Sequence, residues 1–293
     1  MFGKQFGKVH HQPYISIIIV AYNTGDELIE CLRSLSTQTT NNFECIVVDN
    51  SCEDLTKLEQ FNITYFQLDK NYGPSFARNF GVEHARGEVM AFLDDDAIAR
   101  NDFAEVLIRT FRDPSIVAVR GKVLSKTKGN IYNYLPENYD LGDSAVDTML
   151  TTEGNSAVRK SDFVNIKGFD ISLYGHEGIS LSYKLRNHGR QFYIPELVIY
   201  HDYGDSLKHF LSKQYRHGYN YGLFSHLYPQ IHIYKNNFKN LRNKDKKYSS
   251  LGIRLQIQLL MIKFLSLAAL ISGIMTYKIR IVLLHGEREK HLK

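Results

Sequence analysis

Three consecutive carboxylates, Asp94-Asp95-Asp96, follow directly on an apolar run, Glu88-Val89-Met90-Ala91-Phe92-Leu93. The run is short, nearly continuous and preceded by Gly87, a pattern that predicts a strand buried on both faces. Three acids at a strand end repel one another, and a divalent cation is the usual group that offsets such repulsion. Hard cations such as Mg²⁺ and Mn²⁺ take carboxylate oxygens and often share them with phosphates. Alternate residues of an extended segment project to one side, so Asp94 and Asp96 form the expected ligand pair, with Asp96 directly on the cation. The alternative is a solvated acidic loop that caps a helix starting near Asn101 and Asp102.

The elements that must carry this triplet alternate between strand and helix. Ile15-Ser16-Ile17-Ile18-Ile19-Val20-Ala21 is β-branched and apolar, as a central parallel strand requires, and runs into Tyr22-Asn23. Leu28, Ile29, Leu32 and Leu35 then follow helical spacing. Phe43-Glu44-Cys45-Ile46-Val47-Val48 is a second buried strand ending in Asp49-Asn50-Ser51, and residues 63–68 form a third. Asn71-Tyr72-Gly73-Pro74-Ser75 opens another helix, which Gly87 closes. Short connections between alternating elements predict a mostly parallel sheet wrapped by helices. Polar residues gather at three strand ends, where open α/β sheets bind ligands.

Composition bounds the rest. With 293 residues, 43% of them hydrophobic, the chain can build one large domain plus an appendage. Cys31, Cys45 and Cys52 are odd in number and lack paired metal spacing, and the polar, basic first dozen residues lack a secretory core. Both features predict a cytoplasmic setting. Residues 231–293 hold 13 Lys/Arg against 3 Asp/Glu, whereas residues 1–230 hold 23 against 28. A basic tail on an acidic body predicts an anionic surface as partner.

The segments Ile18-Ile19-Val20-Ala21-Tyr22-Asn23, Val47-Val48-Asp49-Asn50-Ser51, Asn71-Tyr72-Gly73, Ala77-Arg78-Asn79-Phe80-Gly81 and Phe92-Leu93-Asp94-Asp95-Asp96 resemble, in order and spacing, the family 2 glycosyltransferases of GT-A fold. The resemblance covers roughly residues 14–230. It implies an α/β nucleotide-binding sheet flanked by helices and an enzyme that moves a sugar, with inversion, from a nucleotide diphosphate sugar to a hydroxyl. UDP is the donor nucleotide by this analogy. Ala21, Tyr22, Asn23, Asp49, Asn71, Arg78, Asp94 and Asp95 are the implied nucleotide-sugar contacts. Asp94, Asp96 and His201, which ends the strand Ile199-Tyr200-His201, are the implied ligands of Mn²⁺ or Mg²⁺; the imidazole favours Mn²⁺. Gly154, Asn155, Asp170 and His176 are the implied acceptor contacts.

The family commonly has an acidic pair at the start of the next helix, with the second acid as base. In Tyr174-Gly175-His176-Glu177-Gly178, Glu177 matches the first acid and Gly178 replaces the second. Glu177 is therefore the expected catalytic base; the alternative is a first-turn Glu favoured only by the helix dipole. Gly178 also keeps open a non-catalytic nucleotide-sugar or glycan-binding protein of the same fold. A processive synthase is disfavoured, because Gln214-Tyr215-Arg216 lacks the expected spacing and the chain has no Trp. No Gly-rich, Lys/Arg-bearing loop follows the first strand, which disfavours nucleotidyl transfer.

The expected organisation is a flexible leader over 1–13, a glycosyltransferase domain over 14–230, a basic linker over 231–254, and an apolar helix and tail over 255–293. The uncharged helix core, 264–277, has 14 residues, short of the ~20 that span a bilayer. An interfacial helix is the expectation, holding the protein peripherally at the cytoplasmic face of the membrane beside a glycan or lipid-linked acceptor. The alternative packs this helix on the body or in a homo-oligomer interface. The long apolar segment beside the basic stretch argues against nucleic acid as the partner.

Overall fold

A computed structural model of the chain describes residues 2–6, 12–51, 56–136, 138–231 and 252–291. Two compact units emerge: residues 1–128 with 137–201, and residues 129–136 with 202–293. In chain order the first unit contains β1 (Phe2–Phe6), β2 (Ile15–Ala21), α1 (Asp26–Ser36), β3 (Phe43–Asp49), β4 (Ile63–Gln67), α2 (Pro74–His84) and β5 (Val89–Asp94). It continues with β6 (Ile98–Ala99), α3 (Phe103–Thr110), β7 (Ile116–Leu124), β8 (Val146–Asp147), β9 (Asn155–Arg159), α4 (Lys160–Asn165), α5 (Glu177–Leu185) and β10 (Arg190–Tyr200).

The ten strands among the described residues form one sheet, ordered β1-β4-β3-β2-β5-β9-β7-β10-β6, with β8 beside β10. From β4 through β5 every pairing is parallel, as expected for a nucleotide-binding half. The two faces follow the period of two along β2. Ile15, Ile17 and Ile19 pack with Leu28, Leu32 and Phe103 on one side, while Ile18 packs with Ala77, Phe92 and Phe169 on the other. Each of these isoleucines is at most 1% exposed, so truncation of any one costs about 2–5 kcal/mol.

The second half of the sheet is mixed. β9 runs antiparallel to both β5 and β7. Residues 125–154 return to the sheet without a crossover helix, and that removes the constraint which keeps successive βαβ strands parallel. The β7–β10 register shifts between Ile194 and Val198, where Pro195 has no N–H to give the ladder.

Residues 2–6 correct the expectation of a flexible leader over 1–13. They form β1, antiparallel to β4, and Lys4 Nζ meets Glu59 Oε1 at 2.7 Å. Unpaired, β4 would present a row of open backbone groups, and β1 covers that row. Cys31 and Cys45 are buried free thiols, as a reduced compartment allows; Cys52 lies outside the described residues.

The second unit holds a short 3-10 turn (Ile131–Tyr134), α6 (Leu207–Leu227) and α7 (Ile253–His291). Ser206 caps α6, its Oγ accepting the His209 N–H at 3.2 Å. Tyr219 packs edge-on against Tyr277 at 5.5 Å and its hydroxyl accepts from Arg280 Nη1 at 3.0 Å, joining α6 to α7. Most of the basic linker expected over 231–254, residues 232–251, lies outside the described residues. α7 differs from the short interfacial helix expected. It runs through Lys263 without interruption, and 29 residues, Ile253–Ile281, are long and apolar enough to cross a membrane by length and composition. Counting only the uncharged stretch missed this, because one charged side chain does not end a helix. Ile253, Ile257, Leu260, Phe264, Leu267 and Ile271 form an exposed apolar stripe along it.

Candidate active site

The acidic triplet sits at the end of β5, and the sheet topology brings a histidine to it from far along the chain. Directly after the triplet, β6 pairs antiparallel with the end of β10, Tyr200 opposite Ile98. His201 is the next residue, and its Nε2 lies 3.3 Å from Asp96 Oδ1. Tyr139 OH stands 3.4 Å from Nδ1 of the same ring, a contact that fixes the ring orientation. One ligand atom each from Asp94, Asp96 and His201 all lie within 4.8 Å of one another.

The electrostatics of the triplet fit a cation. Burial, then the neighbouring Asp96 and Asp94, push the Asp95 carboxyl up to about 7. Among the described residues, Arg78 gives the triplet one contact, Nη2 to Asp94 Oδ1 at 3.3 Å. Two carboxylates and an imidazole suit Mn²⁺ and also accommodate Mg²⁺. Asp95 itself turns inward, its Oδ2 accepting the Tyr22 N–H at 3.2 Å, and so holds the turn after β2.

That turn lies beside two others at parallel strand ends. Ala21 is fully buried and its carbonyl accepts the Asn50 N–H at 2.8 Å. Tyr22 is 51% exposed, which leaves its ring face open, and Asn23 adopts the left-handed region at φ 50°. Asn71 Oδ1 accepts from Asn50 Nδ2 at 3.0 Å and from the Gly73 N–H at 2.8 Å, tying the start of α2 to the end of β3. Asp49 is fully buried. Its Oδ1 accepts from the Ser51 N–H at 2.8 Å and its Oδ2 from Tyr65 OH at 2.7 Å.

A second group of acids is built around Arg78, on α2. The side chain is 10% exposed, with Nη1 at 3.2 Å from Glu177 Oε1 and Nη2 on Asp94. Burial opposes its charge, but Asp94, Glu177 and Glu153 more than offset this and raise its proton affinity. Glu177, the first residue of α5, is 5% exposed and accepts the Gly175 N–H on Oε2 at 2.6 Å. His176 before it has φ 63°, a left-handed turn that aims the Gly175 amide at that oxygen.

Glu153 was not singled out from the sequence. Its Oε1 accepts the Gly178 N–H at 2.8 Å, so it reaches α5 from the turn before β9. Burial and then the Glu177 charge push its carboxyl upward, and Arg78 reverses this in part. A Cβ at Gly178 would fall 2.5 Å from the Leu150 carbonyl oxygen and 2.7 Å from Glu153 Oε1. The glycine is thus required by close approach, and its departure from the expected acidic pair was the signal that could have led to Glu153.

Among the expected acceptor residues, Gly154 sits against the triplet, where a Cβ would lie 1.9 Å from Asp94 Oδ2. Asn155, expected as an acceptor contact, joins strands of the sheet. It is fully buried and its Nδ2 donates to the Lys122 carbonyl at 3.0 Å and to that of Leu197 at 3.3 Å, tying β9 to β7 and β10. Asp170 Oδ1 accepts the Ser172 N–H at 3.0 Å in a local turn. The turn itself is pinned to α2 because Asn79 bonds both the carbonyl and the N–H of Phe169, at 2.9 and 3.0 Å.

Comparison with known proteins identifies the family and the fold. The model of the family described as "Glycosyl transferase family 2" matches residues 16–169, more than half of the chain. The glycosyltransferase AglE of Haloferax volcanii is 33% identical over 120 residues, which are 38% of this chain and 40% of AglE. A glucosyl-dolichyl phosphate glucuronosyltransferase of the same organism is 26% identical over 56% of this chain and 58% of its own length. The chain therefore matches about half the length of these relatives. Among solved structures, the mannosyltransferase PcManGT from Pyrobaculum calidifontis, in complex with GDP-Man and Mn²⁺, superposes with a TM-score of 0.62 at 14% identity, covering 91% of this chain and 87% of that one. S. aureus TarS 1-349 in complex with UDP gives 0.53 at 17% identity, covering 90% and 88%. These structural likenesses establish the GT-A fold.

Proposed function

The chain belongs to glycosyl transferase family 2, and from that premise we propose that it transfers a sugar from a UDP-sugar to a hydroxyl of a glycan or lipid-linked acceptor, with inversion and without processivity. The observation that carries this reading is the meeting of Asp94, Asp96 and His201 within 4.8 Å at the ends of β5 and β10. Mn²⁺ or Mg²⁺ held there would supply Lewis-acid neutralisation of the departing diphosphate. The open Tyr22 ring flanks the nucleotide base, and Asp49, Asn50 and Asn71 fix the strand ends around it. Arg78 orients the acids on either side of it. A carboxylate of the Arg78 group, Glu177 by the sequence expectation, takes the proton of the attacking hydroxyl.

The apolar stripe of α7 supports a membrane-held enzyme, working at the cytoplasmic face where nucleotide sugars are made. Its 29-residue apolar span allows crossing as well as lying on the surface. A panel of UDP-, GDP- and dTDP-sugars with and without Mn²⁺ tests the reading. Nucleoside diphosphate release with one donor, dependent on Mn²⁺, is the expected result, and the product anomer reads the stereochemistry. Tight donor binding without any release supports the binding-protein alternative instead.

A further inference from the structure

The two carboxylates at the start of α5 are not equivalent. Glu177 is engaged on both oxygens, by Arg78 Nη1 at 3.2 Å and by the Gly175 N–H at 2.6 Å. Both of its oxygens are thus occupied by donors, one of them a buried guanidinium. Glu153 reaches α5 from the turn before β9 and is half-buried. Its described hydrogen bond to another residue comes from one neutral amide, that of Gly178. Its carboxylate stands in the space that a side chain at 178 would need, and the Leu150 carbonyl leaves no room for both. The acid absent from position 178 is therefore supplied from another segment. The next residue, Gly154, packs on the Asp94 carboxylate, so the Glu153 segment borders the end of the site where the diphosphate would sit.

We propose that Glu153 is the proton acceptor of the transfer and that Glu177 is a positioning residue that holds Arg78. The proposal rests on the transferase reading above. In the step, the proton of the attacking hydroxyl passes to a Glu153 oxygen as the hydroxyl oxygen bonds to the anomeric carbon. The bond from that carbon to the diphosphate breaks, and its electron pair leaves on the diphosphate. Glu177 from α5, Arg78 from α2 and Arg120 from β7 are the charged groups that bear on Glu153. Partial desolvation and the Glu177 charge strengthen Glu153 as a base, in the direction that suits proton transfer near neutrality.

The test compares Glu153→Gln, Glu153→Asp and Glu177→Gln in the full chain. Each is measured for kcat, donor KM, the pH profile of kcat/KM, and the Tm shift given by UDP with Mn²⁺. Glutamine at 153 keeps an oxygen for the Gly178 amide, so the fold is retained. Glu153→Gln is expected to lose ~10²–10⁴-fold in kcat, with donor KM and the UDP/Mn²⁺ shift as in the parent. It also loses the rise of kcat/KM with pH, and Glu153→Asp recovers part of both. Glu177→Gln shifts donor KM through a loosened Arg78 and keeps the pH rise. Parent-like turnover in Glu153→Gln, with the pH rise lost instead in Glu177→Gln, overturns the proposal and leaves the transferase reading standing. Absence of turnover by the parent on every nucleotide sugar overturns that reading and the proposal with it.

Discussion

The molecule carries two groups of acids within one sheet-and-helix framework, and they handle their charge in opposite ways. The group at the end of β5 is crowded, with Asp95 pushed up to about 7 by burial and by its neighbours, and Arg78 meets it at Asp94 alone among the described residues. Under the proposed function, Asp94 and Asp96 with His201 would receive a cation from outside. The group at the start of α5 contains its own cation: Arg78, 10% exposed, meets Glu177 directly and bears electrostatically on Glu153. The second group is preorganised by the protein, and Arg78 touches both, so the two groups share one positive charge.

The largest effect that sharpens this contrast is expected from Asp96→Ala. It removes one of the three proposed ligands, so turnover should fall to background while Tm in the absence of metal stays near that of the parent. Retained Mn²⁺-dependent turnover breaks the assignment of this group. Arg78→Met should do the reverse and strike the fold. Leaving buried carboxylates without their cation costs about 3–5 kcal/mol, read by urea unfolding. Unchanged stability would mean that the α5 group does not depend on Arg78.

A smaller effect is a pH dependence of the cation-free protein. Asp95 is raised from 3.8 to about 7 in the folded chain. Between these values the folded chain keeps a proton that the unfolded chain has released, so stability falls as pH rises through that window. Mn²⁺ opposes this by favouring the ionised triplet, and its Tm shift should be larger at pH 8 than at pH 6. An equal shift at both values contradicts the crowding argument. The smallest of these effects is expected from Asp49→Asn, with a rise in donor KM and a loss of about 1–3 kcal/mol from the buried Tyr65 and Ser51 bonds. An unaltered KM removes Asp49 from the nucleotide's surroundings.

The strand-end polar groups were legible in the sequence because each follows directly on an apolar run. An apolar run that stops at Asp49 or Asp94 announces both the strand and the place where ligands bind. His201 was readable for the same reason, although its meeting with Asp96 depends on the two-residue strand β6, too short to leave a periodic signal. Glu153 was not readable. Its role depends on a contact with an amide 25 positions later, and only Gly178, a missing side chain, marked the site. The strand-joining bonds of Asn155 were not readable, because a polar side chain that bonds backbone carbonyls has the same sequence appearance as one facing a ligand. β1 escaped because its five residues gain their partner only once the edge of β4 exists.

Mn²⁺ binding followed by electron paramagnetic resonance, with UDP present, tests the contrast between the two acid groups most directly. One bound Mn²⁺ per chain is predicted for the parent and for Glu153→Gln, with none in Asp96→Ala. Mn²⁺ bound equally by Asp96→Ala, or lost in Glu153→Gln, would contradict the division of the site into a group that takes a cation and a group that already holds one.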